Sequence, residues 1–448
     1  MQLHLSDVAS ELNATLIGKD VAFSSVTTDT RHCTKGDLFI ALHGPNFDGH
    51  DYLDKAHQNG ACAAMVDYSV ASQLPLLQVA DTRLGLGRLA TSWRRRFDIP
   101  MAAVTGSNGK TTVKEMIAAI MQLQGDVLST KGNLNNDIGV PLTLLRLQDH
   151  HQAAVIEMGA NHAGEIAYLC SMAQPNVAVI TIAAEAHLEG FGSLDGVAHA
   201  KGEMFSNLPS QGIAVINADD KYSPLWQQLA GDRQKVFFGL DQPADVSAQW
   251  QTQEQGIHMQ INTPAGEVSA ELNVMGRHNV MNALAATAVA QQLGADLLTI
   301  KAGLESFKSV AGRLQITQAA NGMQIIDDTY NANPSSFRAA VDVLSEVKGN
   351  KWLVLGDMGE LGTDAEQLHA ECGRLAKQNG VERLYAVGEL SKHAVTAFTA
   401  EAEWFSSKQA LCEKLINDWQ GNGAVLVKGS RSMHMEDVIH ALQRGASE

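Results

Sequence analysis

The chain has 448 residues, of which 45% are hydrophobic and 18% are charged, and its formal net charge at pH 7 is −16. At roughly 150 residues per domain, we expect three globular domains. The acidic balance, without a long basic run, argues against nucleic acid as a partner. No apolar run approaches the roughly 20 residues of a membrane span, and the five cysteines form no C-x-x-C pair. We therefore expect a cytoplasmic protein with reduced thiols and no membrane insertion.

Residues 1–98 are predicted to form a small α/β domain. A short helix covers Leu5–Leu12, and residues 37–42 have the apolar character of a strand. A loop rich in Gly, His and Asp follows at 44–50. The basic patch at 94–96 marks either a domain boundary or the solvated face of a helix, and the sequence leaves both interpretations open.

Residues 99–312 alternate between apolar runs and helical segments, which predicts a parallel sheet covered on both faces. The predicted strands are 99–104, 153–158, 176–182 and 212–217, and the predicted helices are 113–123 and 278–293. This pattern is typical of a central domain built on parallel strands.

The same alternation resumes over residues 313–448. The predicted strands are 324–327, 352–355, 384–387 and 424–427, and the predicted helices are 334–347, 364–378 and 408–419. No G-x-G-x-x-G follows the first strand, so we expect a Rossmann-like domain that does not bind a dinucleotide. The predicted fold class is α/β with three domains, at 1–98, 99–312 and 313–448.

Residues 105–112, Thr-Gly-Ser-Asn-Gly-Lys-Thr-Thr, join a predicted strand to a predicted helix and are typical of a phosphate-binding loop. The glycines let the backbone approach an anion, the helix N-terminus directs N–H groups at it, and Lys110 adds a full positive charge. The hydroxyl of Thr111 is placed to bind Mg²⁺. The general pattern has a glycine where this chain has Val104, so the alternative is an ordinary strand-to-helix turn with a surface lysine.

Three polar residues lie downstream of this loop, and the first two have two interpretations each. Glu157 ends a predicted strand and is either a magnesium ligand or a solvated strand-end carboxylate. His187 lies among acidic residues and glycines and is either a ligand or a structural histidine. Lys201 lies in an amphipathic stretch, and its residue pattern by itself predicts an ordinary surface lysine.

Two polar loops follow strands in the third predicted domain. Residues 327–334, Asp-Asp-Thr-Tyr-Asn-Ala-Asn-Pro, lead into a helix that begins at a proline, as helix starts favour. Residues 356–362, Gly-Asp-Met-Gly-Glu-Leu-Gly, follow the next strand in the same way. The asparagines could be caps and turns, but two polar loops at one edge of a sheet favour a ligand cleft.

The loop at 105–112 resembles the P-loop of the Mur ligase family of peptidoglycan synthesis and of the related folylpolyglutamate synthases, in which the departure at Val104 is normal. Four further stretches resemble the branch of this family that adds D-alanyl-D-alanine: 157–162, 187–193, 328–335 and 356–362. The Asp-Asn-Pro-Arg signature of the ligase that adds the preceding residue is absent. The resemblance covers essentially the whole chain.

The resemblance implies an ATP-dependent amide ligase that joins D-alanyl-D-alanine to UDP-N-acetylmuramoyl-tripeptide through an acyl phosphate. It also implies two Mg²⁺ ions, and we expect a monomer. Whether the tripeptide ends in diaminopimelate or lysine stays open. The alternatives are another ligase of the same superfamily, either an amino-acid-adding Mur ligase or a folate-type ligase, and a nucleotide-binding regulator without ligation chemistry.

The resemblance also implies roles for individual residues. The catalytic residues would be Lys110, His187 and Lys201, the last as an N-carbamate. The magnesium ligands would be Thr111, Glu157 and His187. The nucleotide would be bound by Gly106, Ser107, Asn108, Gly109, Lys110, Thr111, Thr112, Asn279, Asn282, Arg313 and Asp328. The other substrates would be bound by Asp29, Thr30, Arg31, Asn46, Asp48 and His50 (UDP-sugar), Asn135 and Asn136 (muramyl peptide), and Tyr330, Asn331, Asn333 and Asp357 (C-terminal loops).

Overall fold

A mixed five-stranded sheet organises the N-terminal part of the chain in the computed structural model, which describes residues 2–253, 256–319 and 321–444. The strands of this part of the chain, five of which form the sheet, are β1 (Leu3–His4), β2 (Thr15–Ile17), β3 (Ala22–Phe23), β4 (Ser25–Thr27), β5 (Asp37–Ile40), β6 (His43–Gly44), β7 (Phe47–Asp48), β8 (Ala63–Val66) and β9 (Leu76–Gln78). The helices are α1 (Leu5–Leu12), α2 (Leu53–Gln58) and α3 (Thr82–Arg94). The sheet has the order β2-β9-β8-β5-β4, in which only β2 runs antiparallel to its neighbour.

The predicted N-terminal helix is confirmed with its bounds, because its apolar residues form one buried stripe. The basic patch at 94–96 marks the end of α3, but its first residue is not solvated. Arg94 is buried, and its Nε donates to the carbonyl oxygen of Ala173 at 3.0 Å. This contact fastens α3 to the next region, so the interpretation of Arg94 as part of a solvated face is wrong.

Six parallel strands form the central sheet, and the apolar runs predict four of them. They are β10 (Met101–Thr105), β11 (Val127–Ser129), β12 (Ala153–Glu157), β13 (Val177–Ile180), β14 (Ile213–Asn217) and β15 (Gln234–Phe238). The helices are α4 (Lys110–Gln122), α5 (Gly139–Leu144), α6 (Glu165–Ala173), α7 (Leu188–Phe191), α8 (Leu194–Ser206) and α9 (Ser223–Ala230). The order is β11-β12-β10-β13-β14-β15, and every residue of β10, β12 and β13 is buried. Helices on both faces of a parallel sheet account for this burial.

An antiparallel sheet follows that the sequence interpretation lacks. It contains β16 (Ser247–Gln253), β17 (Gly256–Thr263) and β18 (Gly266–Leu272), and the helices α10 (Arg277–Gln292) and α11 (Leu297–Ser306) come next. The polar residues of β16 are largely exposed, so this strand lacks the hydrophobic pattern from which a strand is predicted. The alternation of the buried residues Ile257, Met259 and Ile261 along β17 is the signal that could have found it.

The C-terminal sheet has the strands β19 (Gln315–Gln318), β20 (Gln324–Asp328), β21 (Asn350–Gly356), β22 (Arg383–Val387), β23 (Ala402–Phe405) and β24 (Gly423–Lys428). The helices are α12 (Pro334–Ser345), α13 (Ala365–Gln378), α14 (Ser391–Phe398), α15 (Lys408–Asp418) and α16 (Glu436–Arg444). The order is β19-β20-β24-β21-β22-β23, and only β19 is antiparallel. β24 therefore lies between β20 and β21, whose following loops carry the predicted polar residues.

The predicted α/β fold class is confirmed. Each of the three regions has a main sheet in which parallel strands dominate, and the separate sheets β1–β3, β6–β7 and β16–β18 are antiparallel. Within the described residues, no helix combines the length and the apolar character that crossing a membrane requires.

Candidate active site

The loop at 105–112 turns between β10 and α4 in a way that requires glycine at two positions. Gly106 has φ 147°, and a Cβ there would lie 1.9 Å from Oγ1 of Thr181. Gly109 has φ 79°, and a Cβ there would lie 2.5 Å from Oδ1 of Asn282. Since α4 begins immediately after Gly109, the free N–H groups of its first turn lie at this loop, where they can bind an anion.

Lys110 folds back over the loop. Its Nζ donates to the carbonyl oxygen of Gly106 at 2.7 Å and lies 3.4 Å from that of Ser107. Desolvation lowers the pKa of Lys110 to about 8, the charge of Glu157 opposes this shift, and the charge of Arg313 adds to it. The ammonium group is therefore held by neutral carbonyl partners, and a phosphate at the loop would be a stronger partner.

Glu157 lies directly beside the loop, because β12 pairs with β10 in a register that places it opposite Val104. Its side chain is buried, so the interpretation as a solvated carboxylate is wrong. Oε1 accepts a hydrogen bond from the amide of Asn135 at 2.8 Å, and the backbone N–H donates to the hydroxyl of Thr130 at 2.9 Å. Oε2 is buried and has no hydrogen-bond partner among the described residues. A divalent cation would satisfy such an oxygen.

His187 immediately precedes α7 and has a left-handed backbone, with φ 55°. The segment before it is fastened to the P-loop, because the hydroxyl of Ser107 donates to the carbonyl oxygen of Ala184 at 3.0 Å and accepts its N–H at 2.9 Å. Nδ1 of His187 closely approaches Oε2 of Glu360, on the loop after β21. This nitrogen is buried and, within the described residues, forms no hydrogen bond of regular geometry, the approach of Glu360 included.

Lys201, on α8, is 1% exposed, so the prediction of an ordinary surface lysine is wrong. Its Nζ lies 3.4 Å from the carbonyl oxygen of Ala160 and 5.3 Å from the centre of the Phe191 ring. Burial, assisted by the charge of Lys110, lowers the pKa of Lys201 to about 7. A large fraction of this amine is therefore neutral near pH 7, which is the form that can react with CO₂.

Residues of the C-terminal region reach the phosphate-binding loop. The amide Nδ2 of Asn333 donates to Oδ1 of Asn108 at 2.8 Å. Nη2 of Arg313 lies 3.5 Å from the hydroxyl of Thr111. The guanidinium carbon of Arg313 lies 4.1 Å from the centre of the Tyr330 ring, and its Nε is buried without a partner among the described residues. The fold thus brings two predicted residues from beyond position 312, Arg313 and Asn333, to the P-loop, and Tyr330 packs against Arg313.

Asp328 forms a buried ion pair with Lys428, the last residue of β24. Lys428 Nζ also donates to the carbonyl oxygen of Asn331 at 3.1 Å. Burial lowers the pKa of His278 to about 4, with Asp328 opposing this shift and Lys428 adding to it. Lys428 is missing from the sequence prediction, because a lysine that ends an apolar strand is usually solvated. Only the insertion of β24 between β20 and β21 places it here.

Three other predicted residues use their side chains in hydrogen bonds within their own region of the chain. Asn282 Nδ2 donates to Oδ1 of Asn279 at 3.0 Å, which fixes both amides on α10 behind Gly109. Asp357 Oδ1 accepts hydrogen bonds from the N–H of Ser391 at 2.8 Å and from its hydroxyl at 2.6 Å. The structure therefore places the side chain of Asp357 in a contact with the start of α14.

The residues predicted to bind the UDP-sugar include two separate pairs in the N-terminal region, Asp29 with Arg31 and Asp48 with His50. Nη2 of Arg31 lies 2.7 Å from Oδ2 of Asp29. Nδ1 of His50 lies 2.6 Å from Oδ1 of Asp48, and Nε2 of His50 accepts the backbone N–H of Asp67 at 3.2 Å. Both ring nitrogens are thereby used, so His50 has no free lone pair for a metal ion.

The loop, its lysine and the adjacent buried carboxylate define a nucleotide-binding α/β protein of the P-loop type, with a C-terminal Rossmann-like region in contact with the nucleotide site. Three family models match the chain: the Mur ligase family catalytic domain at residues 22–94, the Mur ligase middle domain at 104–290 and the Mur ligase glutamate ligase domain at 312–431. The chain belongs to the Mur ligase family.

Several relatives match over nearly their full length. The chain is 47% identical to the UDP-N-acetylmuramoyl-tripeptide–D-alanyl-D-alanine ligase of Escherichia coli (strain K12), with 99% of each chain covered. A crystal structure of MurF from Acinetobacter baumannii superposes with a TM-score of 0.94 at 37% identity, with 99% of each chain covered. The MurF ligase of Thermotoga maritima, solved in complex with ADP, superposes with a TM-score of 0.83 at 27% identity. This match covers 94% of the present chain and 97% of the Thermotoga chain.

Proposed function

We propose that this chain is an ATP-dependent ligase that joins D-alanyl-D-alanine to UDP-N-acetylmuramoyl-tripeptide in the synthesis of the cell-wall precursor. The observation that carries the proposal is the 47% identity to the Escherichia coli ligase over the whole chain. The geometry supports it, because Lys110 lies on a phosphate-binding loop beside a buried carboxylate oxygen of Glu157 that has no hydrogen-bond partner among the residues that the structure describes.

The reaction must overcome the low reactivity of a carboxylate toward an amine. One carboxylate oxygen of the tripeptide attacks the γ-phosphorus of ATP, the bond from that phosphorus to the β–γ bridging oxygen breaks, and ADP leaves. The amine of D-alanyl-D-alanine then attacks the carbonyl carbon of the acyl phosphate. Inorganic phosphate leaves with its electron pair, and the nitrogen loses a proton as the amide forms. The first step brings two anions together, so it requires positive charge at the phosphates.

Lys110 and the backbone N–H groups of residues 106–112 would supply this charge. The ammonium group of Lys110 now donates to a carbonyl oxygen at 2.7 Å, and a phosphate oxygen would replace that partner with a charged one. Arg313 lies 3.5 Å from Thr111, and its Nε has no hydrogen-bond partner within the described part of the chain. Arg313 therefore offers a second cation on the same side of the loop.

Thr111, Glu157 and His187 would hold Mg²⁺, and we propose two ions. The unpartnered Oε2 of Glu157 fits a cation ligand. Bound there, Mg²⁺ would neutralise phosphate oxygens and polarise the γ-phosphoryl group.

Lys201 is proposed to act as an N-carbamate. Its neutral amine would form an N–C bond to CO₂ and release a proton, which converts a buried cation into an anion. The pKa of about 7 supports this proposal, because the free amine is available at neutral pH. An anion at this position would also relieve the repulsion between Lys201 and Lys110.

We further propose that residues 1–98 bind the UDP-linked tripeptide, that 99–312 bind ATP, and that 313–448 bind D-alanyl-D-alanine and close on the nucleotide. The contacts of Arg313 and Asn333 with the P-loop support this closure. We also propose a monomer in the cytoplasm; the five free cysteines support this location, because free thiols persist in a reducing compartment.

Phosphate release tests the proposal when ATP, the UDP-tripeptide and D-alanyl-D-alanine are omitted one at a time. Release is expected only when all three are present. Turnover with free diaminopimelate, lysine or glutamate but not with D-alanyl-D-alanine would indicate an amino-acid-adding ligase. Turnover with tetrahydrofolate and glutamate would indicate a folate-type ligase, and ATP binding without turnover on any pair would indicate a regulator. Parallel assays of the two UDP-tripeptides identify the third residue.

A further inference from the structure

The contact between His187 and Glu360 joins two regions of the chain at the candidate active site. His187 follows β13 of the central sheet, and Glu360 lies on the loop after β21 of the C-terminal sheet. Nδ1 of His187 closely approaches Oε2 of Glu360, and the backbone N–H of Glu189 lies 3.5 Å from the carbonyl oxygen of Glu360. The two loops therefore meet through a side chain and through the backbone.

Both residues of this contact have left-handed backbone conformations. The φ angle is 55° for His187 and 62° for Glu360. Residues with a Cβ seldom adopt such angles, and those that do are concentrated at functional sites, where the surrounding structure holds them. In these conformations the two side chains are in contact.

The chemistry of metal-binding histidines gives this contact a function. A histidine that binds a metal through one ring nitrogen usually donates its other N–H to a carboxylate, which fixes the tautomer and the orientation of the ring. Nδ1 of His187 is the nitrogen that faces Glu360. A proton on Nδ1 leaves the lone pair on Nε2, so Nε2 becomes the nitrogen that can bind a cation.

We propose that Glu360 is a positioning residue, whose carboxylate accepts the Nδ1 proton of His187 and so orients Nε2 toward the second Mg²⁺. The inference rests on the proposed function, in which His187 is a metal ligand. Because Glu360 belongs to the C-terminal region and His187 to the central one, the ligand is oriented only while the two regions are in contact. Closure of the C-terminal region would therefore strengthen the binding of this ion.

Mn²⁺ binding to the full-length protein tests the inference without a measurement of activity. Free Mn²⁺ is counted by electron paramagnetic resonance during a titration in the presence of a non-hydrolysable ATP analogue. Glu360→Ala is expected to weaken the weaker of two Mn²⁺ sites by about 10–100-fold. Glu360→Gln should restore part of this loss, because its amide oxygen still accepts the Nδ1 proton. Glu403→Ala, at an exposed position of β23, is the matched control and should bind like the wild type.

His187→Ala separates the inference from the proposal on which it rests. This variant should lose the weaker site, and adding Glu360→Ala to it should cause no further loss. If His187→Ala weakens Mn²⁺ binding and Glu360→Ala does not, the role of Glu360 is overturned and the proposed function stands. If neither variant changes Mn²⁺ binding, the metal role of His187 is overturned together with the inference. The Glu360 side chain is 55% exposed, so the variants are expected to fold, which circular dichroism checks.

Discussion

Asn108 and Asn333 are 225 positions apart in the sequence, and their side-chain amides form a hydrogen bond of 2.8 Å from Nδ2 of Asn333 to Oδ1 of Asn108. Asn108 belongs to the P-loop, and Asn333 is the N-cap of α12, where its Oδ1 accepts the backbone N–H of Ser336 at 2.8 Å. One side chain therefore begins a helix of the C-terminal region and fastens that helix to the nucleotide site.

The two tasks of Asn333 can be separated by substitution. Asn333→Ser keeps a helix-capping hydroxyl but removes the donor to Asn108, so we expect a near-normal melting temperature and ATP binding weaker by about fivefold, or ~1 kcal/mol. Asn333→Ala should add a loss of roughly 1 kcal/mol in stability, because the cap is lost as well. Thermal melting and titration with an ATP analogue measure the two effects. Equal ATP affinity in wild type and Asn333→Ser would show that the contact does not assist nucleotide binding.

Removing the ammonium group at the P-loop should abolish most of the activity. Lys110→Ala is expected to lower kcat by ~10³-fold or more, on the scale of losing a main group that stabilises transition-state charge. Lys308→Ala, at an exposed position, is the matched control and should retain full turnover. Near-normal phosphate release by Lys110→Ala would remove this lysine from the mechanism.

The carbamate proposal predicts chemical rescue. Lys201→Ala should lose activity, and a small carboxylic acid should restore part of it by replacing the missing anion in the space that the side chain leaves. The assay compares turnover with and without the acid, using wild type as the control for nonspecific effects. Full activity of Lys201→Ala in the absence of acid would contradict any essential role of this residue.

His278 should make the stability of the protein depend on pH in a defined direction. Its pKa is lowered from 6.5 to about 4 in the folded protein, so the unfolded chain binds the extra proton first as the pH falls. Protonation of His278 therefore does not affect the free energy of unfolding above about pH 6.5, and it lowers that free energy progressively as the pH falls toward 4. His278→Gln should show a smaller drop in melting temperature between pH 7 and pH 5 than the wild type. An identical drop in both proteins would refute this assignment.

Much of the fold could be predicted from local pattern. The helix at Leu5–Leu12 and the buried strands around β10, β12, β13 and β14 follow from apolar spacing. The strands β16–β18 did not, since their exposed polar face weakens the hydrophobic signal on which such prediction depends. For a related reason the sequence does not predict the burial of Arg94 and Lys201. A charged residue is normally solvated, and its burial depends on distant partners that a sequence window does not contain.

The sequence by itself determined the P-loop and its lysine, because glycine conformations and the start of a helix are local properties of consecutive residues. Tertiary structure alone decided which distant groups contact the predicted site residues. The insertion of β24 brings Lys428 to Asp328, and the meeting of two loops brings Glu360 to His187. These pairings follow from strand order and from the contact between regions, and neither leaves a periodic trace in the chain. The physical reason is that burial and charge pairing are set by packing in three dimensions, whereas residue patterns report only conformation along the backbone.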